Sequence, residues 1–368
     1  MPTSTPLYVK ITCILLILGL IFFTFFIAQD IILPLGFSFL IAVLLYPLEK
    51  LFARIRIPRV LCILLSLVIA TVVIAGIIMF LSYQLSSFID DLPAIKKNLT
   101  DFFSNTQNWI DNTFHVSKQQ QNQVISDAQK DGMGNAKDVA GTTLGVLTSS
   151  LGTLILVPIY TFLFMYYRNH LIMFTIKMFD DKHAQTVSSV VSKIRTVMQQ
   201  YVSGLLIETS CVAVLNCIGL LIFGVPYSIL LGVIGAILNL IPYIGGLIAL
   251  ILTGIVTLSN TGDTYKTLGS IGVYFAVQFI DNNILVPRII GSSVKLNALV
   301  SIVVVLTGGA LCGVGGMFLS LPFAAICKVV FDHVEELKPW GMLLGDEDDA
   351  RWNKLKKRKP VQKKQPAT

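Results

Sequence analysis

Two acidic residues stand inside apolar runs of this 368-residue chain: Glu208, in "LLIETSC", and Asp281, in "VQFIDNNILVPR". A carboxylate among hydrocarbon side chains is costly, and such groups mark ion sites, proton relays or fixed polar pairs. Three amides, Gln278, Asn282 and Asn283, accompany Asp281. A carboxylate with amide neighbours offers the oxygen ligands that Na+ takes, or a group that exchanges a proton as its surroundings alternate. Two readings stay open for each acid. Asp281 either does this chemistry or pairs with Arg288 to fix a loop. Glu208 either takes part in coupling or is a buried, hydrogen-bonded structural group.

Other chemistries lack their residues. The six cysteines (Cys13, Cys62, Cys211, Cys217, Cys312, Cys327) sit in apolar runs without CxxC or Cys/His spacing, and His115, His170, His183 and His333 fall in polar connections. No metal site and no cofactor is expected. The spans contain no Ser/His or paired-aspartate arrangement, so the sequence reads as a non-enzyme. No GxxxxGK[ST] motif is present, so work done on a solute would draw on an ion gradient, with H+ or Na+ as the coupling ion, or on the solute's own gradient.

The elements that must position these groups lie in a membrane. Hydrophobic residues make up 54% of the chain and charged residues 13%, far from the balance of a soluble domain. The run Ile11 to Ala28 reads as a retained first span and Ile31 to Leu48 as a second. The connection "EKLFARIRIPR" carries Lys50, Arg54, Arg56 and Arg59, which places it, and hence the N-terminus, in the cytoplasm. A third span runs from Val60 to about Leu85. Residues 86–138 read as an extracytoplasmic insertion, its first half an amphipathic helix and its second a helix followed by a loop. It could act as a ligand-capturing lid or as a helical pair packing on the membrane or a neighbouring subunit. A fourth span, about Val146 to Tyr167, leads to a basic connection, a cytoplasmic amphipathic helix and a fifth span ending near Phe223.

The remaining apolar regions are the wrong length for plain spans. Residues 228–258 would form a helix of roughly 46 Å against a hydrocarbon core of about 30 Å, and "LNLIPYIGGLIALI" interrupts them with Pro242, Gly245 and Gly246. Residues 298–331 are likewise too long and are broken by "TGGALCGVGG", which contains Gly308 and Gly309. Proline and glycine disfavour a helix interior, and unpaired backbone is tolerated in a bilayer only where protein or an aqueous cavity satisfies it. Paired broken segments point to a transporter's binding site, where half-helix ends and freed carbonyls hold ions or solute. Close packing of small residues is the competing explanation.

The chain is therefore expected to be an all-α polytopic membrane protein of about eight membrane segments, with 228–258 and 298–331 as re-entrant helical hairpins. Its parts are three scaffold spans (1–85), the insertion (86–138), the fourth span with the amphipathic helix (139–200), a C-terminal transport unit (201–332) and a basic cytoplasmic tail (333–368). Eight Lys/Arg residues between Arg351 and Lys364 give the tail its charge. Without aromatic interleaving or a folded binding module, this run suits anionic lipid rather than nucleic acid.

The segments "LNLIPYIGGLIALI", "FAVQFIDNNILVPRIIGSSVKLNALV" and "LTGGALCGVGGMFLSLPFAAICKVV" resemble, in order and spacing, the C-terminal signatures of the AI-2E family of bacterial membrane transporters, also called the autoinducer-2 exporter or PerM-like family. "LVPIYTFLFMYYRNHL" and "YVSGLL" match looser, earlier signatures. Pro242, Gly245, Asp281, Asn283, Pro287, Gly291, Gly308, Gly309 and Pro322 match signature positions. The resemblance implies a multi-pass transporter of the bacterial cytoplasmic membrane, a homo-oligomer, and an elevator-like movement of the hairpin-bearing part. Some members are associated with autoinducer-2 export and others with Na+/H+ antiport. The chain departs from the pattern at Leu205, where the family often has glutamine, and at Asn239, where it often has an acid.

The function expected is secondary transport, exporting a small solute such as an autoinducer-2-like signal through elevator-like alternating access. The substrate- or ion-binding set would be Asp281, Asn282, Asn283, Gln278, Glu208, Asn239, Pro242, Gly245, Gly246, Gly308 and Gly309. Pro287, Gly291 and Pro322 would be structural. A Na+(Li+)/H+ antiporter and a non-transporting membrane scaffold or regulator are the alternatives. The partners expected are a small molecule or ion, the lipid bilayer and further copies of the chain, with no nucleic acid.

Overall fold

The computed structural model describes residues 6–114, 151–241, 245–290 and 296–345, and among these every regular element is a helix. In chain order they are α1 (Leu7–Ile27), α2 (Gln29–Arg54), α3 (Arg59–Phe114), α4 (Leu151–Lys177), α5 (Ala184–Ile222), α6 (Ser228–Asn239), α7 (Gly245–Thr261), α8 (Thr264–Ile280), α9 (Ala298–His333) and α10 (Lys338–Leu344). The segments 29–54, 59–91, 181–222 and 298–333 are long and apolar enough to cross a membrane. Apolar side chains of α1 and α3 are widely exposed, Leu15, Leu20, Val72 and Met79 among them, as hydrocarbon-facing helices require.

Helix α5 holds the bundle together. Its cytoplasm-expected half, with Val197, Met198 and Tyr201, packs against Leu40 of α2 and Leu319, Ala325 and Val329 of α9. Its later half, with Val212 and Leu220, packs against α6, α7 and α8. A smaller core joins Leu45 of α2, Ile63 of α3 and Met165 of α4. Helices α2 and α4 are also tied by Ser38, fully buried, whose hydroxyl donates to its own turn at Pro34 O (2.5 Å) and lies 3.0 Å from Val157 O.

Several boundaries differ from those expected. The third span and the first half of the 86–138 insertion form one 56-residue helix that passes through Pro93. Near the expected boundary, Phe88 stacks edge-on against Tyr227 (5.4 Å between centroids), whose hydroxyl donates to Asp91. The amphipathic helix and the fifth span are likewise one 39-residue element, α5, and α4 extends to Lys177, into the expected polar connection. A helix can change from apolar to amphipathic without a break, because each backbone group keeps its partner within the helix while only the side chains change solvent. The segment after Asp281, expected to be a loop, instead continues from α8 as a widened π-helical stretch, Asp281–Ile290, with Pro287 inside it. The wider turn keeps the backbone helical where proline and clustered amides read as loop punctuation. Residues 115–150 and 291–295, the second half of the insertion and Gly291 included, lie outside the described residues, as does the tail beyond 345.

Both interrupted regions are broken. By residue count α6 is about 18 Å long and α7 about 26 Å, and they pack on each other. A Cβ on Gly245 would overlap Leu238 O, so only glycine permits this approach. Pro242 falls within 242–244, outside the described residues. In α9 the helix is interrupted at Cys312 (φ −138°, ψ 23°) and Gly313 (φ 60°, ψ −150°), the latter in a region open essentially to glycine alone. Gly308 and Gly316 then face each other: a Cβ on the first would lie 2.5 Å from Gly316 O. In an unbroken helix they would be separated by about 12 Å along the axis. The chain therefore turns back within α9. Its tip adjoins Phe25 of α1 and Leu33 and Phe37 of α2.

Candidate functional site

The two acids come together at the first break. Glu208, Val212, Asn216 and Leu220 are buried at four-residue intervals along α5, forming one stripe. On α8, Ser270, Tyr274, Val277 and the following Asp281 form a second stripe. Asn239, the last residue of α6, lies between them because the helix ends there. Its Nδ2 donates to Glu208 Oε1 at 3.2 Å and to Asp281 Oδ2 at 3.0 Å. Thr209 Oγ1 lies 3.3 Å from Glu208 Oε2. Only 4% of Glu208 and 2% of Asp281 is exposed, and among the described residues neither has an ion-pair partner. The expected alternative in which Asp281 pairs with Arg288 is not what forms; the partner is Asn239.

Beside this bridge is a cavity of about 10 Å³, with Asn216, Asn239, Gln278 and Asp281 as its polar walls and Gly235 and Gly246 contributing bare backbone. That is about the space one water-sized occupant needs. Oδ1 of Asp281 and Oδ1 of Asn216 are buried without a hydrogen-bond partner among the described residues. Such orphaned acceptors are rare, because an unsatisfied buried polar atom costs about 1–3 kcal/mol. Gly235 permits the close passage of Tyr274, whose hydroxyl donates to Leu231 O at 2.9 Å, and Gly246 lies against Gln278.

The other candidates lie apart from the cavity. Asn282 and Asn283 are exposed; Asn283 Nδ2 donates to Phe279 O at 2.8 Å, and Gln278 Nε2 lies 3.4 Å from Asn282 Oδ1. Gly308 and Gly309 form the packed crossing of the α9 legs, against Gly316 and Met317, and Pro322 is buried in the same helix. Sequence reasoning missed Asn216 and Tyr274. Asn216 lies eight residues beyond Glu208 and Tyr274 seven before Asp281, so helical phasing from either acid would have found them. No group of three or more His, Cys, Asp or Glu side chains among the described residues could hold a metal ion.

The chain is similar in sequence to several transport proteins. YueF of Bacillus subtilis is 27% identical over 320 residues, covering 82% of this chain and 85% of its own. YrrI of the same organism is 34% identical over 133 residues, about a third of each protein (36% and 37%). The AI-2 transport protein TqsA of Escherichia coli is 25% identical over 332 residues, 87% of this chain and 90% of its own. The model of the AI-2E family transporter matches residues 11–336, which include α2 to α9 and every residue of the buried bridge, so the chain belongs to the AI-2E transporter family.

Proposed function

We propose that this protein is a secondary transporter in which Glu208, Asn239 and Asp281 form the ion-coupling centre for export of a small polar solute of the autoinducer-2 type. The observation that carries this reading is the pair of buried carboxylates sharing one amide at a helix break, without a basic partner among the described residues. Two such groups packed together are stable together only when a proton or a cation offsets their charge. A centre of this kind changes its energy as it gains or loses that ion, which is what coupling to a gradient requires. The name of TqsA supports the solute class.

In this reading α6–α7 and the folded-back α9 are half-membrane hairpins, and the unit from α5 onward moves relative to α2, α3 and α4 within a homo-oligomer in the bacterial cytoplasmic membrane, with both termini inside. The small size of the cavity favours a second reading, Na+(Li+)/H+ antiport, because about 10 Å³ suits a single small ion rather than a hydroxylated metabolite. The two separate in proteoliposomes loaded with a fluorescent pH indicator. Antiport predicts proton movement on addition of Na+ or Li+ without solute. Solute export predicts flux of the metabolite and no proton movement from the cation alone. A protein that moves neither, yet loses a cellular role when 86–138 and the tail are deleted, would instead be a scaffold.

A further inference from the structure

A second cluster lies at the opposite end of the bundle from the α9 tip. The apolar run of α2 ends at Leu48, that of α3 begins at Val60 and that of α4 ends at Tyr167, so Glu49, Arg59 and Arg168 share one edge of the hydrocarbon layer. The structure joins them: Arg168 Nη1 donates to Glu49 Oε2 at 3.0 Å, and Arg59 Nε lies 3.9 Å from Glu49 Oε1. Arg59 also donates to Met165 O and Tyr166 O at 2.9 and 3.0 Å. One turn from Glu49 on α2, the Tyr46 ring carries two guanidinium groups, Arg195 from α5 at 3.5 Å and Arg168 at 4.4 Å from its centroid.

Charge is not balanced here. Glu49 is the one carboxylate paired with these arginines among the described residues, and Arg195 has neither a carboxylate nor a hydrogen-bond partner among them. Attraction to the ring holds two like charges close together. A guanidinium at such a level presents a fork of donors that matches a phosphate oxygen pair. Arg59 and Arg168 side chains are 41% and 25% exposed, and Arg195 is half-buried. Val60, directly after Arg59, and Leu64 and Leu163, each five residues into the apolar run from Arg59 and Arg168, leave apolar surface uncovered, suited to an acyl chain. Basic pockets between helices at a membrane edge are where anionic headgroups settle.

We propose that Arg195 and Arg168, gathered on Tyr46, bind the phosphate of an anionic phospholipid whose acyl chains lie along α3 and α4. The lipid would bridge α5 to the α2–α3–α4 scaffold and supply the negative charge that Glu49 alone does not.

Native mass spectrometry of the full chain in detergent, with equal amounts of phosphatidylglycerol and phosphatidylcholine, tests this directly. Phosphatidylglycerol should be retained preferentially and should raise the melting temperature. Arg195→Gln removes no ion-pair partner, so it should fold and lower that retention by about tenfold, the loss of one charge-assisted contact. A chain ending at residue 345 loses whatever lipid the basic tail attracts but should keep the preference for phosphatidylglycerol and its dependence on Arg195, and millimolar inorganic phosphate should fail to displace the lipid. Equal retention of the two lipids, wild-type retention by Arg195→Gln, disappearance of the phosphatidylglycerol preference on removing the tail, or displacement by free phosphate would each overturn the assignment.

Discussion

Asn239 and Asn216 have opposite relations to stability, and that difference separates structure from transport. Asn239 gives its amide to both acids, so Asn239→Leu should leave each carboxylate short of a donor and destabilise the protein by roughly 1–3 kcal/mol. A lowered melting temperature in detergent would check this. Asn216→Leu discards an acceptor that has no partner among the described residues and puts hydrocarbon where the cavity is. It should keep or raise the melting temperature while abolishing flux, if the cavity holds the coupling ion; unchanged flux would remove Asn216 from the site. The acids were legible in the sequence because a charge in an apolar run stands out. Asn216 was not, since it becomes notable only when its helical phase relative to Glu208 is known. Asn239 was legible through the break beside it, but its bridging role depends on how α6 ends against α5 and α8.

The helix breaks set the geometry in which these residues meet. Gly245→Ala would drive a methyl group into Leu238 O, a backbone atom that cannot move aside cheaply, and the yield of monodisperse protein should collapse. Gly19→Ala in α1, with nothing among the described residues within 4 Å of the new methyl group, should express as wild type. At Gly313, alanine would have to adopt φ +60°, at a cost of order 1–3 kcal/mol. The existence of both breaks was readable from proline and glycine in overlong apolar runs. The continuity of α3 and α5 across their polarity changes was not, because composition reports solvent while helical phase reports the backbone. The π-helical stretch after Asp281 was hidden for a related reason: Pro287 suggests a stop, yet a widened turn accommodates it.

At the scale of the whole molecule, α5 belongs to both halves of the bundle. It carries Glu208 and Asn216 for the buried site and Arg195 for the Tyr46 cluster, so movement along it would connect the two. Glu49 ties α2, α3 and α4 together through Arg59 and Arg168, and such movement would occur against that scaffold. Glu49→Gln should weaken that scaffold, lowering the melting temperature while leaving the Asn239 bridge intact. Coupling of an ion to transport is the role proposed for the acid pair. Its most direct test is gradient-driven flux in proteoliposomes containing wild-type protein or Asp281→Asn, each first shown to be monodisperse. The variant should lose the response to an imposed proton or Na+ gradient while remaining folded. Full gradient-driven flux through Asp281→Asn would contradict the account.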